Sequence, residues 1–171
     1  MREDLIRQVA ELLDVCRERQ LLLATAESCT GGLLTAYLTQ VAGASDVVER
    51  GFITYSNASK RELLGIDQEM LDQFGAVSRE VALSMAAGAL WRSKASISVA
   101  VTGLAGPGGG SVDKPVGLVH FATAKRVSVS TEQLDFSAIH HVEAFGDIGR
   151  AQVQEASVAV ALTLLRQAVD L

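Results

Sequence analysis

The sequence predicts an α/β fold: a three-layer α/β/α sandwich built on a mixed, mostly parallel sheet with an antiparallel edge hairpin. Short continuous apolar runs, typical of strands covered on both faces, alternate with segments whose apolar residues recur at helical spacing. Late in the chain, "VGLVHFATA" and "VSVSTEQLDF" meet at Lys125 and Arg126, which indicates the hairpin. We expect the 171 residues, 49% of them hydrophobic, to form a single domain, residues 1–171.

Periodicity predicts the elements in order. Leu5, Val9 and Leu12 recur at helical spacing, so residues 3–18 are predicted to be an amphipathic helix. A strand at "LLLATA" follows, then a helix through "LLTAYLTQVAG", a strand at "GFITYS", and a helix at "SKRELLG", where Ser59 and Glu62 have capping-box spacing. Residues 78–94 begin with a serine and are predicted to be helical, "SISVAVTG" is predicted to be a strand, and a packed helix is expected from about residue 149 to residue 169.

The strand "SISVAVTG" leads into a glycine-rich loop, "GLAGPGGGSVDKP". Gly103 and Gly108 have P-loop spacing, but Gly109 and Gly110 stand where that motif needs lysine and serine or threonine. The loop amides are still suited to holding a single phosphate, and a flexible connection is the alternative. In the strand, alternation predicts that one face carries Ile97, Val99 and Val101 and the other carries Ser98, Ala100 and Thr102.

Composition excludes several classes of function. The chain has 15 basic and 20 acidic residues and no basic cluster, which argues against nucleic-acid binding. It has no stretch of about 18 apolar residues, and its charged start, "MREDLIRQ", is unlike a signal peptide, so we expect a cytoplasmic protein without membrane contact. Cys16 and Cys29 suit a reducing compartment and are too few for a structural zinc site. A small molecule is the expected partner, and a homo-oligomer stays open.

Three polar segments follow predicted strands: "ESCTGG", "TYSNASK" and "TGLAGPGGG". In open α/β sheets, ligands bind outside the carboxyl ends of the strands. Each segment alone is a weak signal, because a polar residue after a strand most often serves turn chemistry or helix capping. All three at one sheet edge favour a binding or catalytic site there.

The segment "ESCTGG" allows a structural and a catalytic interpretation. Ser28 or Thr30 is suited to capping the next helix, while Gly31 and Gly32 allow close packing. Alternatively, a hydroxyl at this strand-to-helix turn lies beside free backbone N–H groups that stabilise an oxyanion. The segment is not the hydrolase elbow G-x-S-x-G, because Ala26 and Thr30 replace its glycines.

A catalytic serine needs a base, and Lys60 is the candidate. If Ser59 caps its helix, Lys60 lies in the first turn, where the helix dipole lowers its pKa toward the range of a general base. The alternative is a solvated lysine beside Arg61, and Tyr55 either relays a proton or packs. The histidines are weaker candidates: His120 falls in a predicted strand, and the other two, His140 and His141, fall in a segment predicted to be irregular.

Four segments together resemble the CinA carboxy-terminal domain family: "TAESCTGG", "VAGASDVVERGFITYSNASKRELLG", "GAVSREVALSMAAGA" and "VTGLAGPGGGSVDKPVG". The resemblance runs from about residue 5 to residue 168. It implies a three-layer fold and a cytoplasmic nicotinamide-nucleotide amidase of pyridine-nucleotide recycling. Such an enzyme hydrolyses nicotinamide mononucleotide to nicotinate mononucleotide and ammonia, with no metal and no cofactor.

The resemblance also implies roles for individual residues. The family's serine falls on Ser28, its lysine on Lys60 and its tyrosine on Tyr55, which makes them the expected nucleophile, base and proton-transfer group. Backbone N–H groups near Thr30, Gly31 and Gly32 are then expected to hold the oxyanion. Amides of the following loop are expected to receive the 5′-phosphate, which adds Thr102, Gly103, Ala105 and Gly106 to the candidate binding residues.

One departure from the family pattern keeps two alternatives open. Family members usually carry Gly-Asp-Arg before the last helix, whereas this chain reads "AFGDIGRAQ", with Ile148 at the position of the arginine. Arg150 either takes its place as a substrate-binding residue or the role is lost, which would leave a nucleotide-binding or partner-binding module. A thiol hydrolase with Cys29 as nucleophile is a third hypothesis, although no histidine falls in a matching segment.

Overall fold

The computed structural model describes residues 1–129 and 134–170 and contains a five-stranded sheet with helices on both faces. The strands are β1 (Leu23–Glu27), β2 (Val48–Ile53), β3 (Ile97–Gly103), β4 (Leu118–Val129) and β5 (Leu134–Ala144). The helices are α1 (Glu3–Glu18), α2 (Leu33–Thr39), α3 (Asn57–Leu64), α4 (Gln68–Phe74), α5 (Arg79–Trp91) and α6 (Arg150–Asp170), and a 3-10 turn spans Ala44–Asp46.

The sheet has the strand order β2-β1-β3-β4-β5 and is mixed, as predicted. Strand β1 runs parallel to both β2 and β3, whereas β4 is antiparallel to β3 and to β5. Glu27, the last residue of β1, lies opposite Ile53 of β2 and Val101 of β3. The carboxyl ends of these three strands therefore meet at one edge of the sheet.

Two apolar layers separate the sheet from its helices, which confirms the three-layer prediction. One layer joins the sheet to α1, α2 and α6, and the other joins it to α3, α4 and α5. The predicted alternation in β3 is also observed: Ile97, Val99 and Val101 belong to the first layer, and Ala100 belongs to the second. On that second face, the Ser98 hydroxyl donates to the backbone carbonyl of Ala86 in α5.

Small residues let the helices of the second layer approach closely. A Cβ atom at Gly88 of α5 would lie 2.3 Å from the carbonyl oxygen of Leu64, at the end of α3. Glycine at this position is what allows α3 to pack against α5 and the sheet edge. The packing buries the inner side of α3, including Lys60 and Leu64.

The predicted hairpin turn at Lys125 and Arg126 is wrong, because β4 continues through both residues to Val129. Arg126 is accommodated in the strand because its guanidinium donates to the carbonyl of Leu90 in the last turn of α5 and to the carbonyls of Ser93 and Ala95 after the helix. Part of the predicted second strand of the hairpin, residues 130–133, lies outside the described residues.

The segment predicted to be irregular is also different in the structure. His140 and His141 belong to β5, which pairs with β4 along its length. Helix α4 was not predicted. Among the described residues, no helix combines the length and the apolar character needed to cross a bilayer.

Candidate active site

A cleft of about 230 Å³ opens where the carboxyl ends of β1, β2 and β3 meet. All three predicted polar segments contribute to it, as expected for the edge of an open α/β sheet. The predicted site residues that line the cleft are Ser28, Tyr55, Lys60, Thr102, Gly103, Ala105, Gly106 and Arg150. Thr30, Gly31 and Gly32 are not among the lining residues.

Lys60 and Ser28 are in direct contact at the base of the cleft. The Lys60 Nζ donates to Ser28 Oγ at 2.8 Å and to the carbonyl oxygen of Thr54 at 2.7 Å. Lys60 is 1% exposed and Ser28 is 9% exposed. Burial lowers the pKa of Lys60 from its ordinary 10.5 to about 8. The pair therefore consists of a hydroxyl and an amine that loses its proton near physiological pH.

The helix that carries Lys60 begins earlier than its capping pattern predicted. Ser56 is the N-cap, and its hydroxyl accepts from the N–H of Ser59, whose own hydroxyl accepts from the N–H of Ser56. The prediction that Ser59 caps this helix is therefore wrong. Lys60 lies at the end of the first turn, facing the protein interior, and burial is the main cause of its lowered pKa.

Residues 28–32, which we call the nucleophile turn, connect β1 to α2. The Ser28 N–H donates to the carbonyl of Val101 at 2.9 Å, which extends the β1–β3 ladder by one residue and holds the serine at the sheet edge. Gly32 has φ +97°, and a Cβ atom there would lie 2.8 Å from the side chain of Ile53. Glycine is therefore required at this point of the turn.

Glu27 caps α2 from the last position of β1. One oxygen of its fully buried carboxylate accepts from the N–H groups of Gly32 at 3.1 Å and Leu34 at 3.0 Å, and the other accepts from the N–H of Thr35 at 2.8 Å. The Gly31 N–H donates to the carbonyl of Ser28. The amides of Gly31 and Gly32 are thus already hydrogen-bonded. In the cleft itself, the amides of Ala105 and Gly106 have no acceptor among the described residues.

Arg150 and Tyr55 face each other at the cleft mouth. The Arg150 Nη1 donates to the Tyr55 hydroxyl at 3.3 Å, and the Tyr55 side chain is 62% exposed. Ile148, which stands at the family's arginine position, is 49% exposed and is not one of the lining residues. Among the described residues that line the cleft, the charged side chains are Lys60 and Arg150, both cationic. The cleft is therefore suited to an anionic ligand.

Comparison with known proteins identifies the family. The protein-family model of the CinA C-terminal domain matches residues 5–169 of this chain. The chain belongs to the CinA C-terminal domain family. The crystal structure of the competence/damage inducible protein CihA from Agrobacterium tumefaciens superposes with a TM-score of 0.92 at 47% identity, covering 100% of this chain and 98% of that one.

Further CinA relatives agree with this assignment. The competence damage-inducible protein A (ComA) from Klebsiella pneumoniae superposes with a TM-score of 0.88 at 31% identity, covering 97% of both chains. A CinA-like protein of Mycolicibacterium vanbaalenii is 46% identical over 162 residues, which are 95% of this chain and 35% of that protein. The chain spans about a third of the length of the curated relatives it matches.

The CinA-domain structure does not favour Cys29 as a nucleophile. Cys29 is 5% exposed, and burial raises the pKa of its thiol to about 12. The histidines lie on β4 and β5, where His120 Nδ1 and His140 Nε2 are 3.0 Å apart, and none of the described residues lining the cleft is a histidine. Within the described ranges, no group of three or more His, Cys, Asp and Glu side chains is arranged to hold a metal ion.

Sequence reasoning missed three residues of this site: Glu27, Asn57 and Gln154. One signal pointed to Glu27. The position before α2 is a glycine, which has no side-chain acceptor, so the preceding carboxylate was available as the cap. Asn57 lines the cleft from the first position of α3. Gln154 donates to the carbonyl of Cys29 from α6, a contact between residues too far apart in the sequence for a local pattern to reveal it.

Proposed function

We propose that this CinA-domain chain hydrolyses the carboxamide of nicotinamide mononucleotide to nicotinate mononucleotide and ammonia. The contact between Lys60 Nζ and Ser28 Oγ, at 2.8 Å inside a cleft, is the observation that carries the proposal. An unassisted serine hydroxyl is a weak nucleophile, and a neutral amine within hydrogen-bond reach makes it reactive. The lowered pKa of Lys60 supplies that neutral amine near physiological pH.

The reaction proceeds through an acyl-enzyme. Ser28 Oγ attacks the carboxamide carbon as the neutral Lys60 amine takes the hydroxyl proton. The resulting lysine ammonium, assisted by the Tyr55 hydroxyl, returns a proton to the amide nitrogen, the C–N bond breaks and ammonia leaves. Water then attacks the ester carbon and gives its proton to Lys60. The Ser28–carbon bond breaks as Lys60 returns this proton to Ser28 Oγ, which releases nicotinate mononucleotide and restores both the serine hydroxyl and the neutral amine.

Cleft charge supports a phosphorylated substrate. Arg150 lies at the mouth and is suited to binding a phosphate through two parallel N–H donors. The loop from Thr102 to Gly106 lines the same cleft and contains amides without acceptors among the described residues. We assign the 5′-phosphate of the substrate to these groups. Arg150 then takes the role that Ile148 cannot perform.

The test is turnover of nicotinamide mononucleotide by the purified chain, with ammonia and nicotinate mononucleotide both quantified. Nicotinamide riboside, which lacks the phosphate, is the matched substrate control and should be much poorer. Release of both products in equal amounts, and its loss in Ser28→Ala, would support the proposal. Binding of the nucleotide without turnover would instead favour a binding module, the alternative that the Ile148 substitution raises.

A further inference from the structure

A side-chain hydrogen bond links the nucleophile turn to the last helix. The Gln154 Nε2 donates to the carbonyl oxygen of Cys29 at 2.9 Å. Gln154 lies four residues after Arg150 on α6, so the two side chains share one face of the helix. The face of α6 that carries Arg150 therefore also contacts Cys29, the residue that follows Ser28.

This bond determines the orientation of a whole peptide group. In a planar trans peptide the C=O and the following N–H point in opposite directions, so holding the carbonyl of Cys29 also orients the N–H of Thr30. The preceding peptide is held locally, because the carbonyl of Ser28 accepts from Gly31. The carbonyls of Ser28 and Cys29 therefore both accept a hydrogen bond. The donor to the Cys29 carbonyl is Gln154.

The amides of these two peptides differ from the rest of the turn. The N–H groups of Gly31 and Gly32 donate to strong acceptors, namely the Ser28 carbonyl and the Glu27 carboxylate. Among the described residues, the N–H groups of Cys29 and Thr30 donate to no carbonyl or carboxylate. They are the amides of the turn that remain for an oxyanion formed at Ser28.

We propose that Gln154 is a positioning residue for acyl transfer: by holding the carbonyl of Cys29, which lines the cleft, it turns the amide of the Cys29–Thr30 peptide toward the oxyanion that forms when Ser28 attacks. The inference rests on the proposed amidase function. It assigns to Gln154 a contribution to the transition state rather than to substrate binding. Loss of the bond therefore lowers kcat and leaves KM unchanged.

The principal variant is Gln154→Met, which keeps a similar side-chain length and helix propensity but has no N–H donor. Gln154→Glu is a second variant of nearly the same shape whose ionised carboxylate cannot donate. Gln154→Lys restores a donor. Gln152→Met is the matched control, since Gln152 is an exposed glutamine on the same helix. Thermal unfolding of each variant is recorded alongside its kinetics.

Two readouts are used: kcat and KM with nicotinamide mononucleotide, and the rate at which a fluorophosphonate labels Ser28. In labelling, the Ser28 oxygen bonds to phosphorus, fluoride leaves and Lys60 takes the proton, so the readout does not depend on the natural substrate. We expect Gln154→Met and Gln154→Glu to lower kcat and the labelling rate by about 10- to 100-fold with unchanged KM. Gln154→Lys should recover most of the activity and labelling rate that the donor-free variants lose, and Gln152→Met should stay within about threefold of the parent.

Parent-like labelling in both donor-free variants would overturn the inference, and so would a rise in KM at constant kcat. If one donor-free variant fails to fold, the other decides by the same criterion. If both unfold while Gln154→Lys folds and labels like the parent, the bond stabilises the fold and the positioning role is rejected. A parent that is labelled quickly but does not hydrolyse nicotinamide mononucleotide refutes the proposed function alone, and the Gln154 variants then test positioning through labelling.

Discussion

Replacing Lys60 with methionine removes the amine while keeping a long apolar stem in its place. The native pKa of Lys60 is about 8 rather than 10.5. A difference of about 2.5 pKa units corresponds to about 3 kcal/mol by which burial disfavours the ammonium. At pH 7 about one molecule in ten then carries a neutral amine, compared with about one in 3,000 for an unshifted lysine. Burial thus increases the population of competent base about 300-fold.

The assay is the pH dependence of kcat/KM between about pH 6 and pH 10. Activity of the parent should rise through an apparent pKa near 8, the value of the Lys60 amine. Lys60→Met should lose most of the rate, and its remaining activity should not rise with pH through this pKa. Lys60→Arg should fail almost as badly, because a guanidinium does not release its proton in this range. An arginine variant nearly as active as the parent, or an unchanged rise with pH in Lys60→Met, would refute the assignment of the base.

The same shift predicts a stability difference that does not depend on activity. Between about pH 8 and pH 10.5 the unfolded chain binds more protons at Lys60 than the native protein does, so the free energy of unfolding should rise with pH there. The rise should total about 3 kcal/mol, the free energy that corresponds to the pKa shift. Urea unfolding of Lys60→Met, which has no titrating group at this position, should lack the rise.

Three further perturbations test other parts of the site. Ser28→Ala should lower kcat by several orders of magnitude in the ammonia assay, and retention of more than about a tenth of the parent rate would reject the nucleophile. Arg150→Ala should raise KM for nicotinamide mononucleotide about tenfold or more while changing little for nicotinamide riboside, and equal effects on both substrates would reject the phosphate contact. Glu27→Gln turns one acceptor into a donor facing backbone N–H groups, so urea unfolding should show a loss of about 2 to 4 kcal/mol, with the exposed Glu11→Gln as control.

Local pattern was sufficient for the fold and for the sheet edge at which the candidate cleft lies. Helix α1 occupies the predicted residues 3–18, because its apolar spacing matches the helical period and one face packs on the sheet. Residues of β3 divide between the two faces as alternation predicts. The three polar segments meet because parallel strands bring their carboxyl ends to one edge, a consequence of chain direction alone.

Pairing and burial required the tertiary structure. The spacing of Ser59 and Glu62 predicted the cap of α3 three residues too late, because Ser56 is the N-cap and its hydroxyl accepts from the N–H of Ser59. Lys60 is followed by Arg61 and looks like a surface residue, yet its side chain is buried on the inner side of α3, and that burial lowers its pKa.

The amino-acid sequence by itself determined the layered fold and the sheet edge that holds the candidate cleft, and it predicted Ser28, Lys60 and Tyr55 as site residues, all of which line that cleft. Only the tertiary structure decided that Lys60 contacts Ser28, that the Glu27 carboxylate accepts from the N–H of Gly32, and that Gln154 donates to the carbonyl of Cys29. The physical reason is that a periodic pattern records which face of an element is apolar. Hydrogen-bond partners and burial arise from contacts between distant segments, which no local pattern encodes.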